Sequence, residues 1–352
     1  MKRILLIATT RLCEDGLTEI LLRCADVAGE GQVGIALGEG YDPAIEKKLQ
    51  QKAILYPMPS RKHRLPSYMV SLSRLIANEQ YETVHIHGNS ATMAFDLLAA
   101  YLGGAKNRIT HVHNCAKQPV LKQLTLGTVL NRLVTCPVAC SEASGKQLYR
   151  GSFRVLTNGV ACDSFAFSPL VREKMRSELG IENAFVIGHI GRFSPQKNQA
   201  KLIDIFAEIL KKRPDAVLLL CGEGENMESC KEKVKKMEID EKVLFLGNVK
   251  EPQNYYQAMD VFVMPSLFEG LPLVGVEAQA SGLPCVFSDT ITKETQILPS
   301  CTFLPLNANN NIWSEVIVSC KASDREKAHH LVEKAGFSNN KLNEQIKDLY
   351  MI

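Results

Sequence analysis

Apolar runs of strand length alternate with helical runs along the whole chain, and this alternation constrains the fold more than any other feature. In the first half the strand-like runs are Ile4–Ala8, Val33–Leu37, Thr83–His87 and Arg108–Val112, with helices starting at Leu17 and Ala91. The helix from Leu17 sets Leu17, Ile20, Leu21, Cys24 and Ala28 on one face at helical spacing. Cys136–Ala139 and Arg154–Leu156 add two short strands, and loop residues follow from Asn158-Gly159 to Pro169. The pattern then restarts. A charged helix, Val171–Leu179, precedes strands at Phe185–Ile190, Ala216–Cys221, Lys242–Leu246, Val261–Met264 and Pro284–Phe287. Helices are expected between them at Ala200–Lys212, Met227–Met237 and Tyr255–Met259, with a capping box at Ser323–Glu326 and a loop at Asn307–Asn311. Repeated βα units specify a parallel sheet with helices on both faces. The restart predicts two doubly wound domains, hinged near residues 160 to 170. Ligands of such sheets bind beyond the carboxyl ends of the strands, so two facing domains would make one cleft.

Composition narrows the class. The 352 residues are 45% hydrophobic and 22% charged, as in a soluble globular protein, and a net charge of +3 is too small to argue for nucleic acid. No apolar run approaches the roughly 18 residues of a membrane helix. Met1-Lys2-Arg3 with Ile4–Ala8 superficially resembles a signal start, but the apolar core is too short, and a first strand is the better reading. Eleven cysteines without a C-x-x-C pair, several in apolar contexts such as Cys24, Cys221 and Cys285, fit a reduced cytoplasmic protein with buried thiols.

The stretch Val261–Pro284 carries the densest chemistry. A strand breaks at Pro265, Gly270 and Pro272 shape a loop, and an apolar helix Leu273–Ala280 stops at Gly282. Glu269 sits in the loop, whereas Glu277 lies in an apolar helical turn and needs a partner there. The N–H groups around Leu271 to Val274 point out of the helix start as an anion site. The set suits a nucleotide-sugar; the plainer reading is an ordinary βα crossover with one buried acid.

Upstream, Gly191-Arg192-Phe193-Ser194-Pro195-Gln196-Lys197-Asn198 follows a strand end, and Arg192 and Lys197 could clamp a diphosphate without metal. The alternative is a solvated loop. A doubly wound sheet should place this loop beside Glu269. Gly222-Glu223-Gly224 and Gly247-Asn248-Val249 follow further strands and could let backbone approach a base or ribose. There is no D-x-D, so a metal-bound diphosphate has no obvious ligands, and neither metal nor cofactor is expected. His85 and His87 share one strand face, and His111 and His113 another. Four imidazoles suggest zinc, but no thiolate or acid is spaced to complete a site, and strand-end histidines are commonly hydrogen-bonded instead. A neutral histidine holding a substrate hydroxyl or phosphate fits better. The basic run Arg61–Arg64 and the mixed stretch Pro119–Val134 could touch an anionic membrane or a lipid-diphosphate acceptor; otherwise they are a surface loop and a partly buried helix.

Taken together, GRFSPQKN, LLLCGEGE, VLFLGNV and SLFEGLPLVGVEAQASGLPCV resemble the retaining glycosyltransferases of family 4, which have the GT-B fold. VHIHG, RITHVHN, PVACSEASGKQL and VLTNGVACDSF extend the resemblance over nearly the whole chain, and RITHVHN is similar to bacterial enzymes of exopolysaccharide or capsule synthesis. The resemblance implies that Arg192 and Lys197 hold the donor diphosphate, Glu269 lies near the transferred sugar and Glu277 contacts the ribose. It implies that Gly270, Leu271, Pro272 and Leu273 supply amides to sugar and phosphate, that backbone near Val249 borders the base, and that His113, or else His111, matches the histidine beside the reacting sugar. One departure stands in the first loop, Thr10–Gly16, where family members carry a Gly-Gly pair and this chain has Gly16 alone for the close approach.

The expected architecture is therefore α/β, GT-B, with two Rossmann-like domains facing across a cleft. Residues 1–165 would form the acceptor-side domain and 166–337 the nucleotide-sugar domain, with a last helix within 338–352 packing back on the first. The expected partners are a nucleotide-sugar donor, a UDP-sugar for preference, and a glycan or lipid-linked acceptor, at the inner face of the membrane and without nucleic acid. A nucleotide-sugar 2-epimerase of the same fold and a non-catalytic GT-B partner subunit are the alternatives.

Overall fold

The structure is a computed structural model and describes residues 3–29, 31–113, 120–321 and 324–351. Asn114 of RITHVHN, Pro119 and Ser323 of the expected capping box lie outside the described residues. The chain forms two compact units, one of residues up to Asn158 together with those from Asn340, the other Gly159–Asn339.

In the first unit, β1 (Ile4–Ala8), α1 (Gly16–Ala28), β2 (Val33–Leu37), α2 (Glu46–Lys52), β3 (Ile54–Pro57), α3 (Leu65–Asn78), β4 (Thr83–Gly88) and α4 (Met93–Leu102) alternate. They continue as β5 (Asn107–Val112), α5 (Val120–Leu133), β6 (Cys136–Ala139), α6 (Glu142–Leu148) and β7 (Arg154–Val155). Among the described residues the strands make one parallel sheet in the order β3-β2-β1-β4-β5-β6-β7. Pleating divides β1 between two cores. Ile4, Leu6 and Ala8 pack with Ile20, Leu21 and Cys24 of α1, while Leu5 and Ile7 pack with Tyr68 and Leu72 of α3 and Leu97 of α4. The last helix, α14 (Asn339–Tyr350), joins the α1 face through Leu342, Ile346, Leu349 and Tyr350. That is one helical stripe, and burying each Leu or Ile stabilises by about 1.5–3 kcal/mol.

The basic run is not uniformly a surface patch. Arg61 donates from Nε and Nη2 to Asp96 at 3.1 and 2.7 Å and from Nη2 to the Thr92 carbonyl at 2.8 Å, and the Tyr68 hydroxyl donates to Asp96 at 2.7 Å. Arg61 is thus committed to the α3–α4 contact, leaving Lys62, His63 and Arg64 exposed. In α5, Leu130 is buried and Leu124 exposed, and the side chains of residues 120–122 lie outside the described set. Among the described residues no helix is long and apolar enough to cross a membrane.

The second unit contains α7 (Pro169–Glu178), β8 (Phe185–Ile190), α8 (Gln199–Leu210), β9 (Ala216–Cys221), α9 (Met227–Lys236), β10 (Val243–Phe245) and α10 (Pro252–Ala258). After these come β11 (Val261–Met264), α11 (Leu273–Ala280), β12 (Cys285–Ser288), β13 (Cys301–Leu304), α12 (Asn310–Ser319) and α13 (Ala328–Lys334). The parallel sheet runs β10-β9-β8-β11-β12-β13, so the order reverses between β8 and β11, and the loops after those two strands sit at the switch point. Gly282 ends α11 at φ +69°, with Leu283 N–H on the Ala278 carbonyl and Gly282 N–H on the Gln279 carbonyl, the paired bonds of a Schellman stop.

Candidate active site

The loops after β8 and β11 are stitched together, as the strand order requires. Leu267 N–H donates to the Gln196 carbonyl at 2.8 Å, and Asn198 Nδ2 to the Pro265 carbonyl at 3.1 Å. Gln196 Nε2 reaches the Phe268 carbonyl at 3.0 Å and Glu269 Oε2 at 3.1 Å. From below, the Ser288 and Thr290 hydroxyls donate to the Ser266 carbonyl at 2.6 and 2.7 Å. Glu269, although on a loop, is therefore held as firmly as a residue of the sheet.

The two loop cations have different surroundings. Lys197 Nζ stands 2.7 Å from Glu269 Oε1, with side chains 17% and 8% exposed. Arg192 is 67% exposed at the side chain and lies 3.6 Å from Glu225. Arg192 is an exposed surface cation, whereas Lys197 is one half of a nearly buried pair. An ammonium has three donors, so Lys197 can hold Glu269 and still present N–H to an incoming anion.

Behind the loop, α11 begins without a side-chain cap, and its first backbone bond runs from Gly275 N–H to the Pro272 carbonyl at 3.0 Å. The N–H groups of Leu273 and Val274 precede any intrahelical bond and suit an anion. Of the four residues expected to line sugar and phosphate, Gly270, Leu271 and Leu273 carry an N–H and Pro272 carries none. Glu277, one turn into α11, has the partner its setting demands: the Tyr256 hydroxyl lies 2.9 Å from Oε2 and 3.1 Å from the Val274 carbonyl. Burial pushes the Glu277 carboxyl up to about 7, against the lowering by the Tyr256 hydrogen bond and the Lys197 charge.

Gly222 and Gly224 answer a demand inside the protein. At φ +127° and +152°, a Cβ on them would stand 2.2 Å from the carbonyl oxygens of Gly191 and Phe193 respectively. The two glycines let the β9 loop lie against the Arg192 loop, with Phe193 N–H on the Glu223 carbonyl at 2.9 Å. Val249 is half-buried and lines a cavity of about 410 Å³ with Tyr255, Asn248 and Glu178.

In the first unit, Gly16 is the exposed opening residue of α1, whose cap is Asp15, accepting from Thr18 N–H at 2.8 Å. The loop before it is pinned by Leu12, buried and paired with Tyr41. The β4–β5 register brings the four histidines side by side, His87 opposite His111. His85, His87 and His111 are fully buried, and His113 is half-buried. His85 Nδ1 is 2.7 Å from the Tyr350 hydroxyl and His87 Nδ1 is 3.0 Å from His113 Nε2. Burial holds all four below the usual histidine range, so they are neutral. Cys24, which no sequence spacing links to them, comes from α1; donor atoms of Cys24, His85 and His87, and of His87, His111 and His113, lie within 4.8 Å of one another. The sequence reading also missed Gln196 as the tie to Glu269 and Tyr256 as the partner of Glu277, since neither belongs to a charge or glycine pattern.

Two parallel doubly wound units define the GT-B class. The Anabaena protein Alr3699/HepE, solved in complex with UDP-glucose, matches at a TM-score of 0.84 with 20% identity over 99% of each chain. The chain belongs to the group 1 glycosyltransferases: residues 171–298 match the model of the family "Glycosyl transferases group 1", and EpsF of Bacillus subtilis is 34% identical over 73% of this chain and 70% of its own. The UDP-Gal:α-D-GlcNAc-diphosphoundecaprenol α-1,3-galactosyltransferase of Escherichia coli is 32% identical over 63% of this chain and 61% of its own. The protein is a glycosyltransferase.

Proposed function

We propose that the protein is a metal-independent, retaining family 4 enzyme. It moves a hexose or N-acetylhexosamine from a UDP-sugar to a hydroxyl of a growing, lipid-linked glycan in polysaccharide biosynthesis. The observation that carries this reading is the convergence of Gln196, Lys197 and Glu269 over the uncapped start of α11. The UDP-glucose complex of the fold neighbour and the lipid-diphosphate substrate in the E. coli relative's name support donor and acceptor.

In this reading the donor diphosphate takes the N–H groups of Leu273 and Val274 and charge from Lys197 and Arg192. The sugar C1–O bond to phosphate breaks as the acceptor oxygen bonds to C1 from the same face. The departing phosphate oxygen takes the acceptor's proton, so no protein nucleophile forms a bond. Donors aimed at charge that grows on the leaving group stabilise the transition state more than the bound donor. His113 is the histidine that this reading assigns to the reacting sugar.

The clamp is tested by calorimetric titration with UDP in EDTA. Lys197→Ala should weaken binding by about 1.5–3 kcal/mol, the range for charged hydrogen bonds. The loss belongs at the upper end, because Glu269 is then left uncompensated near the diphosphate. Arg192→Ala should lose less and lose it more steeply with salt, its charge being solvent-exposed. Unchanged affinity in both variants, or turnover abolished by EDTA, would contradict the reading.

A further inference from the structure

We propose that His87 is a positioning residue that fixes His113 in the tautomer protonated on Nδ1, making His113 a hydrogen-bond donor to a substrate oxygen. The inference rests on the reading of His113 as the histidine beside the reacting sugar.

The argument is a proton count. His87 Nδ1 and His113 Nε2 are 3.0 Å apart, and one of the two carries the shared hydrogen. A neutral imidazole has one N–H, so placing that hydrogen fixes both rings. If His113 Nε2–H donated, His87 would be protonated on Nε2, which is buried and has no hydrogen-bond partner among the described residues. That arrangement buries an N–H without an acceptor. If His87 Nδ1–H donates, the atom left alone is a bare ring nitrogen, and under-satisfied acceptors are the more tolerated of the two. His113 then accepts at Nε2 and carries its proton on Nδ1.

The same rule assigns the neighbouring pair. His85 Nε2 is likewise buried without a partner among the described residues, and Nδ1 is 2.7 Å from the Tyr350 hydroxyl. His85 Nδ1–H then donates to Tyr350, whose own hydrogen is free to turn toward Cys24 beside it. His85 is thereby locked between β4 and α14, and its ring, 4.1 Å from that of His87, supports the His87 ring. His111, 4.1 Å from His113, does the same on β5. Among the described residues, the groups recorded beside the two rings are His85 and His111, with Tyr350 and Cys24 against His85, all buried and all neutral when histidine is neutral. No charge among them pulls the shared proton the other way.

Long-range ¹H–¹⁵N spectra of the full chain labelled at histidine rings test this directly. His113 is assigned by the loss of its signals in His113→Gln. The expected result at pH 7.5 is a protonated Nδ1 and a bare Nε2 on both His87 and His113; a protonated Nε2 on His113 overturns the proposal. His87→Phe should release His113 into a mixture of tautomers and lower kcat at least about tenfold, with donor KM little changed. An unmoved His113 tautomer in that variant removes His87 from its role. If His87→Phe does not fold, the wild-type spectrum still decides. The spectra contain no substrate, so a chain with the expected tautomers but no nucleotide-sugar turnover keeps the fixed tautomer and sinks the transferase reading instead.

Discussion

Glu269→Gln is expected to lower kcat on the order of 100- to 1000-fold with donor KM little changed, and to melt lower than the wild type because Lys197 loses its nearly buried counter-charge. In the proposed reaction positive charge grows at the anomeric carbon as the phosphate departs, and a carboxylate held beside it would stabilise that state more than the bound donor. Of the six hydrogen bonds that hold residues 265–269, five engage the loop backbone and one, from Gln196, reaches the Glu269 carboxyl, so the amide can occupy the same place. Glu277 should behave differently. If it holds the ribose, as the sequence resemblance implies, it contributes alike to ground state and transition state, and Glu277→Gln should mainly raise donor KM. Its stability effect has a definite sign. A carboxyl raised from 4.5 to about 7 binds more protons folded than unfolded between those values, so it costs stability as pH rises through that window. Glu277→Gln should therefore melt no lower than the wild type at pH 8. Two purely structural acids would give the reverse pattern: both variants melting lower and neither changing the kinetics selectively. Steady-state kinetics with melting curves on both variants separate the two accounts.

Asp96→Ala should destabilise the first unit by about 3–5 kcal/mol, the cost of stripping a buried arginine of its paired carboxylate. Asp96 has no exposed side-chain surface and Arg61 only 11%. Besides the ion pair, Asp96 accepts the Tyr68 hydroxyl, so the substitution leaves two buried donors in need of new partners. Denaturation followed by circular dichroism, with hydrogen exchange of the α3 and α4 amides, reads the loss. A change below about 1 kcal/mol would show that Arg61 finds water instead.

Much of this fold could be read from the residues alone, and the reason is burial. Ile4–Ala8, Val33–Leu37, Phe185–Ile190, Ala216–Cys221 and Val261–Met264 are strands to the residue, because central parallel strands are covered on both faces and appear as unbroken apolar runs. The edge strands β3 and β13 were missed. They are half-exposed, and Ile54–Pro57 ends in a proline that an edge tolerates and a central strand does not. Helix α3 was hidden by the basic run before it, since Pro66 near its start reads as a break although it suits a first turn.

At the site, residue type was legible and pairing was not. Glu277 in an apolar turn announced that it needed a partner, but nothing in the order of residues pointed to Tyr256. Lys197 and Arg192 look equivalent in GRFSPQKN. The structure separates them, because the β8 and β11 loops share one switch point and bring Glu269 to Lys197 alone. The histidine pairs showed strand faces at once, whereas the bond between His87 and His113 depends on register between β4 and β5. The charge run Arg61–Arg64 read as solvated because its counter-charge, Asp96, lies 35 residues on.

The most direct test of the account is the anomeric configuration of the sugar released. A melting screen of UDP-, GDP- and ADP-sugars selects the donor, and time-resolved ¹H NMR then follows its slow hydrolysis in EDTA, before mutarotation. The account predicts nucleoside diphosphate together with a sugar that first appears in the donor's own anomeric form, and loss of both signals in Glu269→Gln. A sugar that first appears inverted, or no turnover of any nucleotide-sugar, would contradict it.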